Sequence, residues 1–516
     1  MGKSRPSLDY CTVVRPSNYL DRMFYLYSRV GVQSNILISA HYTSSTFDGR
    51  KRLDKEAVYS AVRSVLEKYP ELSIIGVPEP LPKKGHHSLL IAALHEIDLE
   101  TCVEFLDDEP PSVSAEVIER LHNQWDWTDE QFNPRRPWWK VVVLGRQEVV
   151  FVFHHIVCDG RFGHTFHLEF LAGINEYDEE EKPCSRIVKI DPERVRLDKE
   201  LEDFWTSTVS VLNVVHVFIM NLLLRLFLGG RLLFTGLPES KPYAKDGITE
   251  ATPDECTKTR IVVNRIPAAK MQRILAACRE RKATFTPLLI VMTLCALACD
   301  FYPKATVGIA NCALDMRGIY PTEDESPDSG KLLQCAGGIR QISFLNKYRR
   351  LFPSKSRSNG ETDKKTDEKI DTAADVDVDG AWELVRECRA SIVQKLEAKP
   401  SQLLVVFRAA NSMSNDLESM LSSTFPAFGL HLNNSVQVSN IGAFPTGDQG
   451  GHWKIDDTTF SAACVNGSLS YNLSLNVSGV QGGDTVIAAC YEDGILEEDV
   501  VSGILEAALE KMEAII

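Results

Sequence analysis

The sequence lacks the clusters of Lys and Arg that bind nucleic acid, and its formal net charge is −15. Because a phosphate backbone is bound by grouped basic side chains, this acidic balance argues against a nucleic-acid partner. The HExxH, HxH and paired CxxC patterns of common metal sites are also missing, so we expect no bound metal. No apolar secretion segment follows Met1, and Pro6 stands where N-myristoylation requires Ser or Thr. These absences predict a cytoplasmic protein.

The 13 cysteines are odd in number and irregularly spaced, which argues against a disulfide framework. They predict free, mostly buried thiols in a reducing compartment. The composition is otherwise ordinary for a globular protein, with 44% hydrophobic and 25% charged residues. Because 516 residues are too many for one simple core, the length predicts two lobes.

Helical and strand patterns alternate along the chain, which predicts an α/β fold. We assign residues 1–195 to an N-terminal lobe, 196–250 to an apolar helical crossover and 251–516 to a C-terminal lobe. Residues 353–379 are rich in Lys, Asp, Ser and Thr and predict a mobile surface loop. The C-terminal lobe is expected to contain a helix capped by Thr286, helices over 381–396 and 414–421, and a strand over 459–465.

Residues 204–228 form an apolar run long enough to cross a bilayer. At about 100° per residue, however, the polar side chains fall within roughly half of the helix circumference. Those side chains are Ser210, Asn213, His216, Asn221 and Arg225. A helix with one weakly polar face is consistent with packing between lobes, contact with a membrane surface or a true span, and the sequence leaves these alternatives open.

The segment from His154 to Gly160 lies between a predicted strand and a predicted helix. The strand is an unbroken apolar run over 149–153, and Asp159 is well placed to cap the helix. The apolar stripe of the helix consists of Phe162, Phe166, Phe170 and Ile174. Two imidazoles at such a corner indicate proton-transfer chemistry, although a packed strand end with satisfied histidines is the alternative.

The HHxxxDG pattern of this segment resembles the signature of CoA-dependent acyltransferases. The two-lobe layout resembles the fungal alcohol acetyltransferase branch of that superfamily, and the absence of the plant-type DFGWG motif favours this branch. The resemblance implies a chloramphenicol-acetyltransferase-like fold, in which two αβ lobes with mixed sheets flanked by helices enclose a tunnel. Acyl-CoA enters such a tunnel from one face and the acceptor enters from the other.

The resemblance implies that His155, the second histidine of the motif, is the general base. A neutral imidazole near its ordinary pKa can take the proton of an alcohol as the alcohol attacks a thioester. A buried structural histidine is the alternative reading of His155. We expect a structural role for His154, since strand side chains alternate and it points the other way. Cys158 allows a nucleophile hypothesis, but inert packing is favoured because its position in the motif is variable.

The resemblance also implies that Asp159 turns away from the tunnel and pairs with an arginine on another element. Arg317, which follows a predicted strand over 306–311, is the matching residue, and Arg161 is its competitor. A partly buried carboxylate requires a cation, and guanidinium binds it in a fixed geometry. The Asp159–Arg317 pair would then hold the corner that orients His155.

Ser439-Asn440-Ile441-Gly442 resembles the SN-x-G segment that wax ester synthases and their relatives place across the tunnel. A hydrogen-bond donor is required where a tetrahedral oxyanion forms, and Ser439 or Asn440 could supply it. Gly442 would allow close backbone approach. An ordinary strand-to-turn ending is the alternative.

The resemblance therefore implies an O-acyltransferase that uses acetyl-CoA or another acyl-CoA as co-substrate and holds no bound cofactor. We expect a small-molecule alcohol as acceptor and a monomeric protein. Two alternatives stay open: an N-acyltransferase or condensation-type enzyme of the same fold, and a non-catalytic relative that only binds a ligand or a membrane. Fungal relatives are often membrane-associated, which is consistent with peripheral contact of 204–228 with an intracellular membrane.

Overall fold

A five-stranded sheet and a six-stranded sheet organise the part of the chain that the structure, a computed structural model, describes. The described residues are 7–44, 52–80, 87–124, 127, 134–177, 185–197, 210–238, 255–317, 333–353, 376–397, 434–445, 451–465 and 471–516.

The helices of these residues are α1 (Tyr19–Arg29), α2 (Lys55–Lys68), α3 (Ala115–His122), α4 (Gly160–Glu176), α5 (Val211–Leu228), α6 (Ala268–Glu280), α7 (Phe285–Ala296), α8 (Asn346–Leu351), α9 (Val378–Glu397) and α10 (Glu498–Glu513). The strands are β1 (Ser7–Leu8), β2 (Cys11–Pro16), β3 (Ile36–Ser44), β4 (Ile74–Pro80), β5 (His87–Leu94), β6 (Glu96–Asp98), β7 (Val103–Leu106), β8 (Trp139–Leu144), β9 (Glu148–Phe153), β10 (Ile187–Lys189), β11 (Thr259–Ile266), β12 (Val307–Asp315), β13 (Ala336–Phe344), β14 (Ser435–Phe444), β15 (Trp453–Ala462), β16 (Leu473–Val480) and β17 (Thr485–Glu492).

Local signals in the sequence explain where the first helices begin. Asn18 and Asp21 form a capping box at the start of α1, in which each side chain accepts a hydrogen bond from the other residue's backbone N–H. Asp54 caps α2 by accepting from Ala57 N at 2.7 Å. These caps satisfy backbone donors that the first helical turn leaves without partners.

The five-stranded sheet has the order β15-β3-β9-β8-β7 and lies in the N-terminal half. β8 and β9 form a hairpin, and its turn places Gly145 and Arg146 at φ of 53° and 64°. Every residue of β9 is buried, as its continuous apolar run predicts. This sheet therefore gives the strand that ends at the HHxxxDG motif a rigid position.

The six-stranded sheet of the C-terminal half has the order β11-β17-β16-β14-β12-β13. β14 runs parallel to β12 and β16, and the other neighbouring strands are antiparallel. Val436 and Val438 belong to the core that this sheet forms with α7, α9 and α10. Because strand side chains alternate, Ser435, Gln437 and Ser439 lie on the opposite face. The predicted α/β class with mixed sheets is confirmed.

One strand joins the two halves. β15 lies late in the chain but pairs with β3 of the five-stranded sheet. It also hydrogen-bonds to β16, where Phe460 N donates to Ser478 Oγ at 3.0 Å. The strand predicted over 459–465 therefore lies over 453–462 and pairs with the N-terminal sheet, although we placed it in the C-terminal lobe. Side-chain alternation predicts a strand but not the sheet it joins; the lobe boundaries stay predictions.

The predicted cap of α7 is wrong by two residues. Thr284, not Thr286, occupies the N-cap position, and α7 begins at Phe285. Thr286 lies in the first turn, where its Oγ1 accepts a hydrogen bond from Asn440 Nδ2 at 2.9 Å. The Thr286 hydroxyl, which we predicted to cap the helix, thus binds the Asn440 side chain of β14 instead.

The helix predicted over 381–396 is confirmed and is longer, since α9 begins at Val378 and ends at Glu397. Its first turn overlaps the end of the loop predicted over 353–379, and residues 354–375 lie outside the described residues. The helix predicted over 414–421 lies outside them as well. Within 204–228 the description begins at residue 210 and gives α5.

Candidate active site

The HHxxxDG motif forms the corner between β9 and α4, as predicted. Asp159 is the N-cap of α4, and its Oδ1 accepts a hydrogen bond from Phe162 N at 3.0 Å. Gly160 lies against β14 and β15, because a Cβ on residue 160 would come within 2.9 Å of Phe460 and 3.0 Å of Ile441. Such distances are too short for a side chain unless its neighbours shift. The corner is therefore packed directly against β14 and β15.

His155 lies in the turn that follows β9 and is half-buried. Its ring stacks on Phe24 of α1 with a centroid distance of 3.9 Å and an interplanar angle of 18°. Burial lowers the pKa of the imidazole to about 4, and the Asp159 carboxylate opposes this effect only in part. The expectation of a pKa near the ordinary value is therefore wrong. The ring is neutral at cell pH, which is the form that accepts a proton.

This low pKa predicts an unusual pH profile for any reaction in which His155 is the base. The imidazole must be deprotonated, so kcat/KM should stay level as the pH falls through 6.5 and should decline with a midpoint near the pKa of about 4. The measurement is kcat/KM in short assays, with activity recovered at neutral pH after each acid exposure to show that the protein stayed folded. An acid limb centred near 6.5 would contradict the effect of burial.

His154 is held from both ring nitrogens. Its Nδ1 accepts a hydrogen bond from Ile156 N at 3.1 Å, so we assign the proton to Nε2, which lies 2.7 Å from Ser28 Oγ. The edge of Trp138 packs on the ring at a centroid distance of 4.8 Å. Burial lowers the pKa of His154 to about 3. These contacts are consistent with the structural role expected for His154.

The expected ion pair between Asp159 and Arg317 is present, with Arg317 Nη2 at 3.0 Å from Asp159 Oδ2. The same carboxylate oxygen accepts a hydrogen bond from Cys335 N at 2.7 Å. Leu333 O accepts from both partners, from Asp159 N at 3.1 Å and from Arg317 Nη2 at 2.9 Å. Asp159 is thus buried with its charge compensated. That the Asp159–Arg317 ion pair orients His155 for catalysis stays a prediction.

The SN-x-G segment leads into a bulge of β14, because Ser439 and Asn440 pair with β16 and the pairing then shifts between Asn440 and Ala443. Gly442 has a φ of 85°, and its N–H donates to Asn440 Oδ1 at 2.9 Å. Asn440 Nδ2 donates to Thr286 of α7, so the Asn440 side chain lies on the helix-covered face. Ser439 lies on the other face of the sheet. Of the two residues predicted as oxyanion donors, Ser439 is therefore the better candidate.

Sequence reasoning missed the contacts that hold the corner from outside. Phe24 stacks on His155, and the amphipathic pattern of α1 marks its buried face without identifying the partner. The backbone groups of Leu333 and Cys335 bind Asp159, and backbone groups give no signal in residue identity. Only the three-dimensional arrangement reveals these contacts.

Arg161, the predicted competitor for Asp159, has a different partner. Its Nη1 donates a hydrogen bond to Ile441 O in the bulge at 3.2 Å. The structure therefore joins the two predicted motifs directly, through the residue that follows HHxxxDG and the variable residue of SN-x-G.

Cys158 is completely buried, and burial raises the pKa of its thiol well above the ordinary value. A thiol in this state forms little thiolate, which favours the packing interpretation. Among the described residues, no group of three or more His, Cys, Asp or Glu side chains is arranged to hold a metal ion. Two surface cavities of about 490 and 300 Å³ border α6 and α10 and contain none of these site residues, so the tunnel stays a prediction.

A family model of alcohol acetyltransferases matches residues 108–318, a segment that includes the HHxxxDG corner and Arg317. Over 469 residues, the chain is 24% identical to the probable alcohol acetyltransferase FCK4 of Fusarium pseudograminearum, covering 87% of this chain and 84% of that protein.

Two solved structures show the same fold. The TRI3 trichothecene 15-O-acetyltransferase of Fusarium sporotrichioides is 15% identical with a TM-score of 0.63, over 99% of this chain and 97% of that one. The first condensation domain of the calcium-dependent antibiotic synthetase is 10% identical with a TM-score of 0.59, over 97% of each chain. The predicted chloramphenicol-acetyltransferase-like fold is confirmed. The matches also confirm the predicted resemblance of this chain to the alcohol acetyltransferase family.

Proposed function

We propose that the protein is an acyl-CoA-dependent O-acyltransferase, with acetyl-CoA as the expected donor and a small-molecule alcohol as the acceptor. The resemblance to alcohol acetyltransferases supports acyltransfer. The observation that carries the finer proposal is His155, a neutral imidazole at the junction of the two halves, stacked on Phe24 and next to the Asp159–Arg317 pair. A neutral and oriented imidazole is the group required to take a hydroxyl proton. Acyl-CoA is a co-substrate, and the proposal requires no resident cofactor.

In the proposed reaction, Nε2 of His155 takes the alcohol proton as the alcohol oxygen attacks the thioester carbonyl carbon. Nδ1 is buried, so Nε2 is the ring nitrogen that we expect to face the substrate. The carbonyl electron pair moves onto its oxygen, where Ser439 Oγ donates a hydrogen bond. The carbonyl then re-forms, the C–S bond breaks, and His155 gives its proton to the CoA sulfur. The products are an ester and free CoA.

Product analysis tests this proposal. Incubation with acetyl-CoA and primary alcohols from butanol to decanol should release free CoA and form the matching esters, identified by mass spectrometry. Matched primary amines provide the comparison. Amides without esters would favour the N-acyltransferase or condensation-type alternative, whose fold the chain shares. Binding of acetyl-CoA without either product would favour the non-catalytic alternative.

We also propose that the protein works in the cytoplasm and contacts an intracellular membrane through 204–228. Within α5, Leu212, Leu226 and Phe227 are 79%, 69% and 75% exposed. On β13, Ile342 and Phe344 are also exposed, and they pair with Ile309 and Val307, which pack with Leu224 of α5. Residues 210–238 contain no acidic side chain, which suits an anionic lipid surface. In the described part of the chain, no single helix has the length and hydropathy to cross a bilayer.

Sedimentation with lipid vesicles measures this contact. Replacing both Leu226 and Phe227 with Gln should weaken binding to phosphatidylcholine–phosphatidylserine vesicles by about tenfold, because each buried apolar side chain contributes on the order of 1 kcal/mol or more. Val393→Gln, which changes an exposed apolar residue of α9, is the matched control and should bind as the unmodified protein does. Equal binding of all three proteins would contradict a contact through α5.

A further inference from the structure

Arg161 connects the loop that carries His155 to the bulge that follows Ser439 and Asn440 in β14. Its Nη1 donates to Ile441 O at 3.2 Å. The registers of β14 with β12 and β16 give Ile441 no paired residue among the described strands, so its carbonyl is outside the sheet ladder. Arg161 Nη1 also lies 4.0 Å from the place that a Cβ of Gly442 would occupy. This is an ordinary contact distance, so the φ of 85° and not the guanidinium requires glycine at residue 442.

The requirements of the helix do not explain an arginine at this position. Arg161 follows the N-cap Asp159 in the first turn of α4, where the positive end of the helix dipole is unfavourable for a cation. The side chain is exposed, so its hydrogen bond contributes little to the free energy of unfolding. The hydrogen bond to Ile441 O is therefore the interaction through which we expect Arg161 to act.

The bulge is also fixed by its other neighbours. Gly160 brings α4 into contact with the Ile441 side chain. Asn440 binds Thr286 of α7 through Nδ2 and accepts from Gly442 N through Oδ1. The Asn440 hydrogen bonds hold the bulge to the C-terminal half, whereas Gly160 contacts its Ile441 side chain and Arg161 binds its Ile441 backbone from the HHxxxDG corner. Gly160 and Arg161 therefore join the bulge to the corner together, and Arg161 supplies the directional hydrogen bond of this connection.

We propose that Arg161 is a positioning residue that sets the Ser439 segment relative to His155. The inference rests on the proposed function, because this geometry matters only if the two side chains act on one substrate. It goes further by assigning a role to a residue that neither bonds Asp159 nor takes part in proton transfer. A displacement of about 1 Å in such an arrangement can cost about 10²-fold in rate, which makes a single hydrogen bond measurable.

Arg161→Met tests the assignment through its effects on kcat and KM. We expect kcat to fall by about tenfold or more, with KM for acetyl-CoA within about threefold and the melting temperature unchanged. Arg161→Lys should retain intermediate activity, because lysine keeps a donor but not the planar fork. Guanidinium ion at millimolar concentration should restore part of the kcat of Arg161→Met by donating to Ile441 O.

Arg260→Met is the matched control. Arg260 also joins the two halves, since its Nη1 lies 2.8 Å from Glu119 Oε2 of α3, but it is not part of the corner. We expect this variant to keep the kcat of the unmodified protein. An equal loss of kcat in both Met variants would overturn the inference, because it would indicate general docking of the halves.

Two further outcomes separate this inference from the proposed function. If the unmodified protein shows no turnover that depends on His155, the proposed function fails first. If that turnover exists and Arg161→Met keeps its full kcat, the inference alone is overturned. A large rise in KM for acetyl-CoA with unchanged kcat would also overturn it, because Arg161 would then bind the donor.

Discussion

Replacing His155 with Ala is expected to abolish measurable acyltransfer while the protein stays folded. Loss of a general base costs about 10²–10⁴-fold in rate, which would bring turnover close to the background reaction. The fold should tolerate the change, because the His155 side chain is only half-buried and the Asp159 carboxylate near it keeps its ion pair with Arg317. The main structural loss is the stack on Phe24, and aromatic pairs contribute about 0.5–1.5 kcal/mol.

The measurement is ester formation and CoA release by purified His155→Ala, together with its melting temperature. Cys158→Ala is the control, since it removes the thiol of the nucleophile hypothesis from a fully buried position in the same motif. We expect that control to keep its rate within a few-fold of the unmodified protein. Near-normal turnover in His155→Ala would refute the assigned base, and loss of turnover in Cys158→Ala alone would revive the nucleophile hypothesis.

The corner around His155 could be predicted because its signals are local. The apolar run before the motif and the phenylalanine stripe after it are one strand and one helix, and their junction contains Asp159 as a cap. The partner of Asp159 required more than periodicity. Arg317 was named from the resemblance, and the ion pair at 3.0 Å agrees with it. Local sequence patterns thus predict where β9 ends and α4 begins, while the family resemblance predicts the contact between Asp159 and Arg317.

The remaining contacts could not be predicted, because they join residues far apart in sequence. Phe24 and Ile441 reach the corner only through the packing of α1 and β14, and no periodicity in either segment identifies the partner. The pKa of His155 depends on how completely these neighbours exclude water, so the sequence left it near its ordinary value. β15 shows the same limit, since its alternation is equally compatible with either sheet.

Replacing Asp159 with Asn is expected to lower the free energy of unfolding by about 1–3 kcal/mol and to reduce turnover as well, because it leaves the Cys335 N–H without its acceptor and removes one of the two carboxylates that pair with Arg317. The carboxylate accepts three hydrogen bonds, from Phe162 N, Cys335 N and Arg317 Nη2. An asparagine can still cap α4 through its carbonyl oxygen. Its NH₂ group would then face two donors, so Cys335 N–H would lose its acceptor and the Arg317 guanidinium would keep only Asp315 and Leu333 O.

Urea unfolding of Asp159→Asn, Arg317→Met and the double variant measures the coupling within the pair. The double variant should lose less stability than the two single losses combined, because removing both charges leaves neither of them stranded. Arg120→Met is the control, since it breaks an exposed ion pair to Glu109 and should change the free energy of unfolding by about 0.5 kcal/mol or less. A fully stable but inactive Asp159→Asn would contradict the bracing role. It would instead indicate that the carboxylate takes part directly in proton transfer with His155.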